Sequence, residues 1–350
     1  MNVDKYIIKA SATVREALRQ LNSLSGGAMT LFVVEDDGRV IGSLTDGDIR
    51  RCLIAGAELA TSLSEVVHRD FIALRGESID IKEIRRLRES RVTLVPRLTQ
   101  EGKLKALYDF SSQKSLLPVD AVLMAGGKGE RLRPLTNDTP KPLLKLGGKC
   151  IIDYNIEALA KNGVSNISVT VNYLAEQIEE HFSQPVAGVG VKCVKEPVRM
   201  GTIGSLSLID SYENDTILIM NSDLFTNINF EEMYISHADS GAGITVAVTP
   251  CMVSVPYAIF HYGKNGDVTG LEEKPTYNYY ANAGIYMIKR EMLSLIPQGE
   301  YYDATDMLED AIKNGFKVRQ FPINGTWIDI GSPADFRHAQ DVVQLGKMQF

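Results

Sequence analysis

The chain is short of the residues on which most catalytic and metal-binding motifs are built. Its 350 residues include four cysteines and five histidines. Cys52, Cys150, Cys193 and Cys251 are scattered, with no CxxC or Cys/His spacing. That pattern speaks against a disulfide framework and a zinc motif, and for reduced thiols in the cytoplasm. Net charge is −7, which excludes nucleic acid and anionic membranes as general partners and leaves room only for a local basic site. No apolar run is long enough for a signal peptide core or a membrane helix, so the expected location is cytoplasmic. Two familiar phosphate-binding patterns are missing as well. GxxxxGK[ST] does not occur, and a GxGxxG read from Gly127 fails at Leu132.

What is present is ordinary globular material, 44% hydrophobic and 23% charged, in a length that suggests two domains. A polar, Ser-rich stretch, "FSSQKSLLPVD", covers residues 110–120 and precedes a new apolar strand. We therefore expect domains at 1–117 and 118–350. The first carries 18 Lys+Arg against 16 Asp+Glu, a balance of +2, which leaves −9 for the second.

The first part repeats itself. "SATVREALRQLNSL" reads as a capped amphipathic helix, with Ser11 or Thr13 as the cap. "TLFVVEDDGRVIGSLTDGDIRRCL" then reads as strand, Asp-Gly turn, strand and helix. "SIDIKEIRRLRES", "VTLVPRL" and "QEGKLKALYDF" repeat that order. The arrangement resembles an α+β CBS-domain pair, a module that often senses adenine nucleotides. The resemblance places Thr45 and Asp48 of "GSLTDGDIR" on a nucleotide's phosphate and ribose. The same residue types also suit a plain helix cap. The second copy has neither residue at the matching places, so at most one competent site is expected.

In the second part apolar strands ("AVLMA", "ISVTVNY", "VKCVKE", "TILIMNSD") alternate with helical runs ("IIDYNIEALAKNG", "LAEQIEEHF", "TIGSLSLIDSY"). This is the pattern of a doubly wound α/β sheet. After Gly243 the strands crowd together and "KNGD" marks a hairpin, so the sheet should be mixed. Ligands of such sheets bind at the carboxyl ends of the strands. There stands "AGGKGERLRPLTNDTPKP". Gly126, Gly127 and Gly129 let backbone N–H groups approach an anion, and Arg131, Arg133 and Lys141 add charge. Pro134, Pro140 and Pro142 stiffen the loop, which preorganises it for a polyphosphate.

The stretch "GGKGERLRPLTNDTPKPLLKLGGKCIIDY" resembles the signature of sugar-1-phosphate nucleotidyltransferases of the GDP-mannose pyrophosphorylase type, over roughly residues 119–345. Further blocks follow in order: "EPVRMGTIGSL", "MNSDLF", "LEEKP", "NAGIY" and "WIDIGSP". The resemblance implies a Rossmann-like, GT-A-like domain. It also implies Arg131 and Lys141 on the phosphates, Asp223 and Asp329 on Mg²⁺, and Gly201 and Thr202 near the base. Glu273, Lys274, Asn282 and Gly284 would surround the sugar phosphate. The chemistry agrees with these types. A phosphate monoester is already nucleophilic, so in-line attack on an α-phosphate needs charge neutralisation and alignment rather than a Ser, Cys or His. None of the five histidines lies in a signature block, and surface positions are expected for them. Singly, Asp223 and Asp329 also suit turn or helix caps, Lys274 a solvated surface, and Trp327 core packing.

Glu196 lies five residues before Gly201, where uridylyl- and thymidylyl-transferring relatives resemble one another in carrying Gln. A carboxylate only accepts, which suits the N1–H and N2–H₂ of guanine, so GTP is favoured; a charged strand end is the plain alternative. Lys145, Cys150 and Ala258 stand where the family usually has proline, proline and glycine. A CBS pair joined to this domain further resembles the guanylyltransferases of bacterial legionaminic acid pathways, which act on glucosamine 1-phosphate. Mannose or heptose 1-phosphates are the near alternatives, and a non-catalytic nucleotide-sugar sensor is the rival from another class. A homo-oligomer is expected.

Overall fold

The computed structural model describes residues 3–24, 27–76, 78–90 and 92–346. The chain divides into two compact units, residues 1–116 and 117–350.

The repeat in the first unit is visible as topology. Strand Ile7–Lys9 pairs in parallel with Thr30–Val34, which pairs antiparallel with Val40–Thr45. Leu74–Arg75, Leu94–Leu98 and Leu104–Asp109 form a second sheet with the same two pairings. Each antiparallel pair slips register near one end, between Val33 and Val34 and between Arg97 and Leu98. Helix Val14–Ser23 is capped by Thr13, whose hydroxyl accepts from the Glu16 amide while Glu16 accepts from Thr13 N. Its Val14, Ala17 and Leu21 are buried at helical spacing.

The second unit is built on a seven-stranded sheet. Its strands are β1 (Val119–Met124), β2 (Ile167–Val171), β3 (Val191–Lys195), β4 (Thr216–Asn221), β5 (Ile244–Ser254), β6 (Thr276–Lys289) and β7 (Val318–Pro322). They lie in the order β3-β2-β1-β4-β6-β5-β7. All pairs are parallel except the two made by β6, which runs against β4 and β5. The mixed, doubly wound sheet expected is thus the architecture found, but its antiparallel strand is β6; the strands flanking "KNGD", Ile259–Tyr262 and Val268–Glu272, pair as a separate two-stranded sheet. Helices Ile151–Lys161 and Ala175–His181 connect β1 to β2 and β2 to β3. Phe230–Ser240 connects β4 to β5, and Ala304–Lys313 connects β6 to β7. The central strands are buried on both faces, as their unbroken apolar runs require. Among the described residues, no helix is long and apolar enough to cross a membrane.

One expected helix is absent. "TIGSLSLIDSY" forms only a short 3₁₀ turn, Gly204–Leu208. The Tyr302 carbonyl takes the N–H groups of both Ile203 and Gly204, 3.1 Å each, so tertiary hydrogen bonds replace the start of a helix. A side chain at Gly204 would meet the Glu300 carbonyl at 2.5 Å.

Polar groups also hold the core. Asp120, 2% exposed on β1, accepts from Glu213 N, Asn214 N, Asn214 Nδ2 and Asn166 Nδ2 at 2.7–3.0 Å. This satisfies a buried carboxylate with four donors. His237 departs from the surface position expected for the histidines: it is 2% exposed, with Nδ1 2.8 Å from Thr245 Oγ1. An imidazole can enter a core when it stays neutral. Burial, and secondarily the charge of Lys289, push its pKa down to about 4. The unfolded chain therefore binds the extra proton first, and stability should fall as pH drops from about 6.5 toward 4. We expect this group to remove about 3 kcal/mol across that window. Urea unfolding at pH 7 and pH 4.5 should show a smaller loss in His237→Gln than in the wild type. Equal losses in the two proteins would refute the linkage.

Candidate active site

The site is assembled by two adjacent strand ends. β1 and β4 pair in parallel up to Met124 and Asn221. The glycine loop leaves the first, and the Ser222–Asp223 turn leaves the second. Ser222 Oγ donates to the Met124 carbonyl at 2.6 Å and ties the two exits together. Just beyond, strand Leu224–Thr226 pairs antiparallel with Trp327–Asp329, with Leu224 opposite Asp329. That register is why two carboxylates more than a hundred residues apart stand side by side. Ile330 N donates to the Asp223 carbonyl at 3.2 Å.

Lys141, 8% exposed, ion-pairs with Asp223 Oδ2 and stands 4.0 Å from Asp329 Oδ1. Burial and the nearby charge of Asp223 push the Asp329 carboxyl up from its ordinary value, opposed by Lys141 and Arg131. The other Asp223 oxygen, Oδ1, is buried without a hydrogen-bond partner. An unpartnered oxygen beside a second carboxylate is the donor set of a hard divalent cation, so these residues fit one.

The loop itself is held by its glycines. Gly129 has φ 62, and a Cβ there would meet Thr136 at 3.0 Å and Lys141 at 3.1 Å. Thr136 Oγ1 donates to the Gly129 carbonyl at 2.8 Å. Gly126 faces the Glu196 carboxylate, which a Cβ would meet at 3.1 Å, while Gly127 has open space in front of it. The next turn, Glu130–Leu132, is anchored by Leu132 in a cluster with Phe225, Ile328 and Ile330, which fixes Arg131 over Gly331.

These elements enclose a cavity of about 420 Å³. Of the residues anticipated from the sequence, it brings together Gly126, Gly127, Gly129, Arg131, Lys141, Glu196, Gly201, Thr202 and Asp223. Glu196 is 7% exposed; burial pushes its carboxyl up, opposed by Ser205, the Met200 amide, Thr170 and Arg199. Gly201 has φ 79 and lies where a Cβ would meet the Tyr302 carbonyl at 2.5 Å. Thr202 N and Oγ1 both donate to Asp303 Oδ1, at 2.9 and 3.1 Å. Gly284 reaches the site indirectly: a Cβ there would meet Asn221 Nδ2, on the cavity wall, at 2.6 Å. Asn282 is engaged with Tyr286 Oη and Gly284 N. Glu273 and Lys274 are not brought in: both are exposed, beyond strand Val268–Glu272, and outside the lining.

Sequence reasoning missed Arg199, Asn221, Tyr301 and Asp303, which also line the cavity. The signal for Asp303 was available, because it is the N-cap of Ala304–Lys313; what it faces was not. Trp327 packs beside the site and donates its Nε1–H to the Ala283 carbonyl at 2.9 Å.

A glycine loop, the strand-end Asp223 and the buried Lys141 share one cavity, with Asp329 4.0 Å from that lysine, and a nucleotidyl transferase family model matches residues 120–344. The chain belongs to the nucleotidyl transferase family. A CBS domain model matches residues 1–55 of this nucleotidyl transferase. It is 30% identical over 223 residues to the mannose-1-phosphate guanylyltransferase catalytic subunit beta of Drosophila melanogaster, covering 62% of this chain and 60% of that one. It is 29% identical over 221 residues to a putative mannose-1-phosphate guanyltransferase of Sulfolobus acidocaldarius, covering 62% and 61%. The chain therefore spans about three fifths of the length of these curated relatives. Its fold is similar to that of HddC from Yersinia pseudotuberculosis complexed with GMP-PN (TM-score 0.51, 22% identity, 64% of this chain and 99% of that one). It is also similar to a putative glucose-1-phosphate thymidylyltransferase from Bacillus anthracis (TM-score 0.53, 21% identity, 66% and 97%).

In the N-terminal unit, Thr45 and Asp48 form a capping box for helix Asp46–Ile54. Asp48 Oδ2 accepts from Thr45 N and Oγ1 at 2.8 and 2.6 Å, and its Oδ1 accepts from Arg51 at 2.6 Å. Thr45 also lines a cavity of about 300 Å³ with Phe32, Ser43, His68 and Val92, whereas Asp48 does not.

Proposed function

We propose that this nucleotidyl transferase transfers GMP from GTP to a sugar 1-phosphate in the cytoplasm, with Mg²⁺, releasing pyrophosphate and forming a GDP-sugar. The observation that carries this reading is Lys141 set between Asp223 and Asp329 beneath a glycine loop. That arrangement is made to hold polyphosphate against a hard cation, and it offers no nucleophile of its own.

Asp223 and Asp329 would hold the Mg²⁺, which supplies neutralisation of the charge that grows on the departing pyrophosphate. The N–H groups around Gly126, Gly127 and Gly129 cradle the triphosphate, and Arg131 and Lys141 stabilise the transferring phosphoryl. The sugar phosphate oxygen bonds to the α-phosphorus as the bond to the bridging β-oxygen breaks. No protein group need take a proton, because the attacking phosphate is already anionic. Lys274 and Glu273 are assigned to the sugar phosphate and sugar hydroxyls, which requires their exposed segment to fold over the bound substrate.

Two sugars are to be compared. Glucosamine 1-phosphate follows from the domain combination, and mannose 1-phosphate follows from the activity for which the relatives are named. The deciding measurement is pyrophosphate release with five NTPs against these two, glucose, N-acetylglucosamine and heptose 1-phosphates. Strong signal in the GTP row supports the reading. Strong signal in another row overturns the base assignment, and silence throughout favours the sensor. The N-terminal pair is assigned a regulatory or dimerising role, with an adenine nucleotide as its candidate ligand and a homo-oligomer as the working assembly.

Glu196 carries the base preference. Glu196→Gln presents a donor to guanine N1–H or N2–H₂ and a matching pair to uracil. We expect the GTP/UTP ratio of kcat/KM to fall by about tenfold to a hundredfold, corresponding to roughly 1–3 kcal/mol. A ratio unchanged from the wild type would remove Glu196 from base recognition.

A further inference from the structure

Away from the phosphate cavity, three side chains with transition-metal chemistry converge. Cys150 ends the short strand Lys149–Cys150 and immediately precedes helix Ile151–Lys161. Asp153 lies in the first turn of that helix, and His181 is the last residue of Ala175–His181. Cys150 is 8% exposed, and the side chains of Asp153 and His181 are 15% and 24% exposed. The sulfur, a carboxylate oxygen and a ring nitrogen all lie within 4.8 Å of one another, and His181 Nε2 is 2.7 Å from Asp153 Oδ1. A triangle with those sides has a centre within roughly 2.5 Å of all three corners, against bonds of about 2.0–2.3 Å from zinc to N, O and S.

We propose that Cys150, Asp153 and His181 bind a divalent transition-metal cation of the zinc type, with a fourth position left to solvent. The charges close: a thiolate and a carboxylate balance the dication, and imidazole binds neutral. A sulfur and an imidazole discriminate against Mg²⁺, whereas the all-oxygen pair Asp223 and Asp329 favours it, so donor type sorts two cations between two places. Without a cation, burial and then the charge of Asp153 raise the Cys150 thiol above its ordinary range. The sulfur is then protonated at neutral pH, and a metal would take the place of that proton.

The scattered cysteines had given no sign of such a site, because His181 joins Cys150 and Asp153 only through the packing of two helices. The site's position suggests its effect. Cys150 pairs across a tight turn with Lys145, a few residues after Lys141. A bound cation would staple both helices to the end of the segment that carries the phosphate-binding lysine.

The test is a Co²⁺ titration of the full-length protein, stripped with chelator and held in excess Mg²⁺ to occupy the oxygen site. One equivalent of Co²⁺ should raise a near-ultraviolet sulfur-to-metal absorption, which Asp223 and Asp329 cannot produce. The band should vanish in Cys150→Ser and in His181→Gln and persist in Cys193→Ser. Zn²⁺ should displace the Co²⁺ and raise the Tm of the wild type but not of His181→Gln, whose partly exposed position makes it the safer variant for folding. Absence of the band in folded wild type, or its survival in Cys150→Ser, overturns the proposal. So does a Zn²⁺-dependent rise in Tm that is equal in wild type and His181→Gln.

Discussion

Asp223→Asn is expected to lower pyrophosphate release by at least about a thousandfold, with the far-ultraviolet circular dichroism unchanged. The size follows from what the substitution removes. A cation that neutralises the leaving pyrophosphate, together with fixed donors at the reacting phosphate, accounts for several kcal/mol of barrier, and each 1.36 kcal/mol is about tenfold in rate. Asp223 Oδ1 is a buried oxygen left without a partner, and Asp329, whose side chain is 43% exposed, is a poor substitute alone. The fold should survive because Asn keeps the shape and Lys141 has Asp329 within 4.0 Å as a second partner. Isothermal titration with Mg²⁺ and GTP separates the effects: GTP should still bind weakly, while its Mg²⁺ dependence disappears. Turnover within a few-fold of wild type would dismiss Asp223 as a metal ligand.

Much of this architecture was legible because burial leaves a plain signature. Strands covered on both faces read as "AVLMA" and "TILIMNSD", and the hairpin turn "KNGD" announced strands outside the parallel order. The glycine loop was legible for a different reason. A glycine at φ 62 and three prolines restrict the backbone locally, and local restriction is written in residue type. What stayed hidden depends on distant partners. "TIGSLSLIDSY" has helical periodicity, yet the Tyr302 carbonyl claims its first amides. His237 has no local mark of a core residue; only Thr245, on a neighbouring strand, supplies its hydrogen bond. Asp153 and His181 meet across 28 residues of chain. Glu273 and Lys274 differ again. The motif "LEEKP" names them, but the structure leaves them exposed and outside the cavity lining.

Lys141→Met should show that the lysine does two jobs that pull in opposite directions when a cation is added. It is 8% exposed, touching one aspartate and facing another. Truncating one member of a buried ion pair leaves uncompensated charge and costs about 3–5 kcal/mol. Asp329, already pushed up by burial and by Asp223, would then be pushed further, and a proton or a metal ion must fill the role of the ammonium. The variant without divalent cation should therefore melt well below the wild type. Mg²⁺ should raise its Tm by more than it raises that of the wild type, because the ion restores a neutralisation that the wild type already has. Turnover should not recover with stability. On the proposed mechanism Lys141 also stabilises the transferring phosphoryl directly, so a loss of about a hundredfold to a thousandfold in kcat should persist at saturating Mg²⁺. If Mg²⁺ restores both Tm and kcat, Lys141 is only a counter-ion for the aspartates. If Mg²⁺ stabilises the two proteins equally, the lysine and the cation do not share a site.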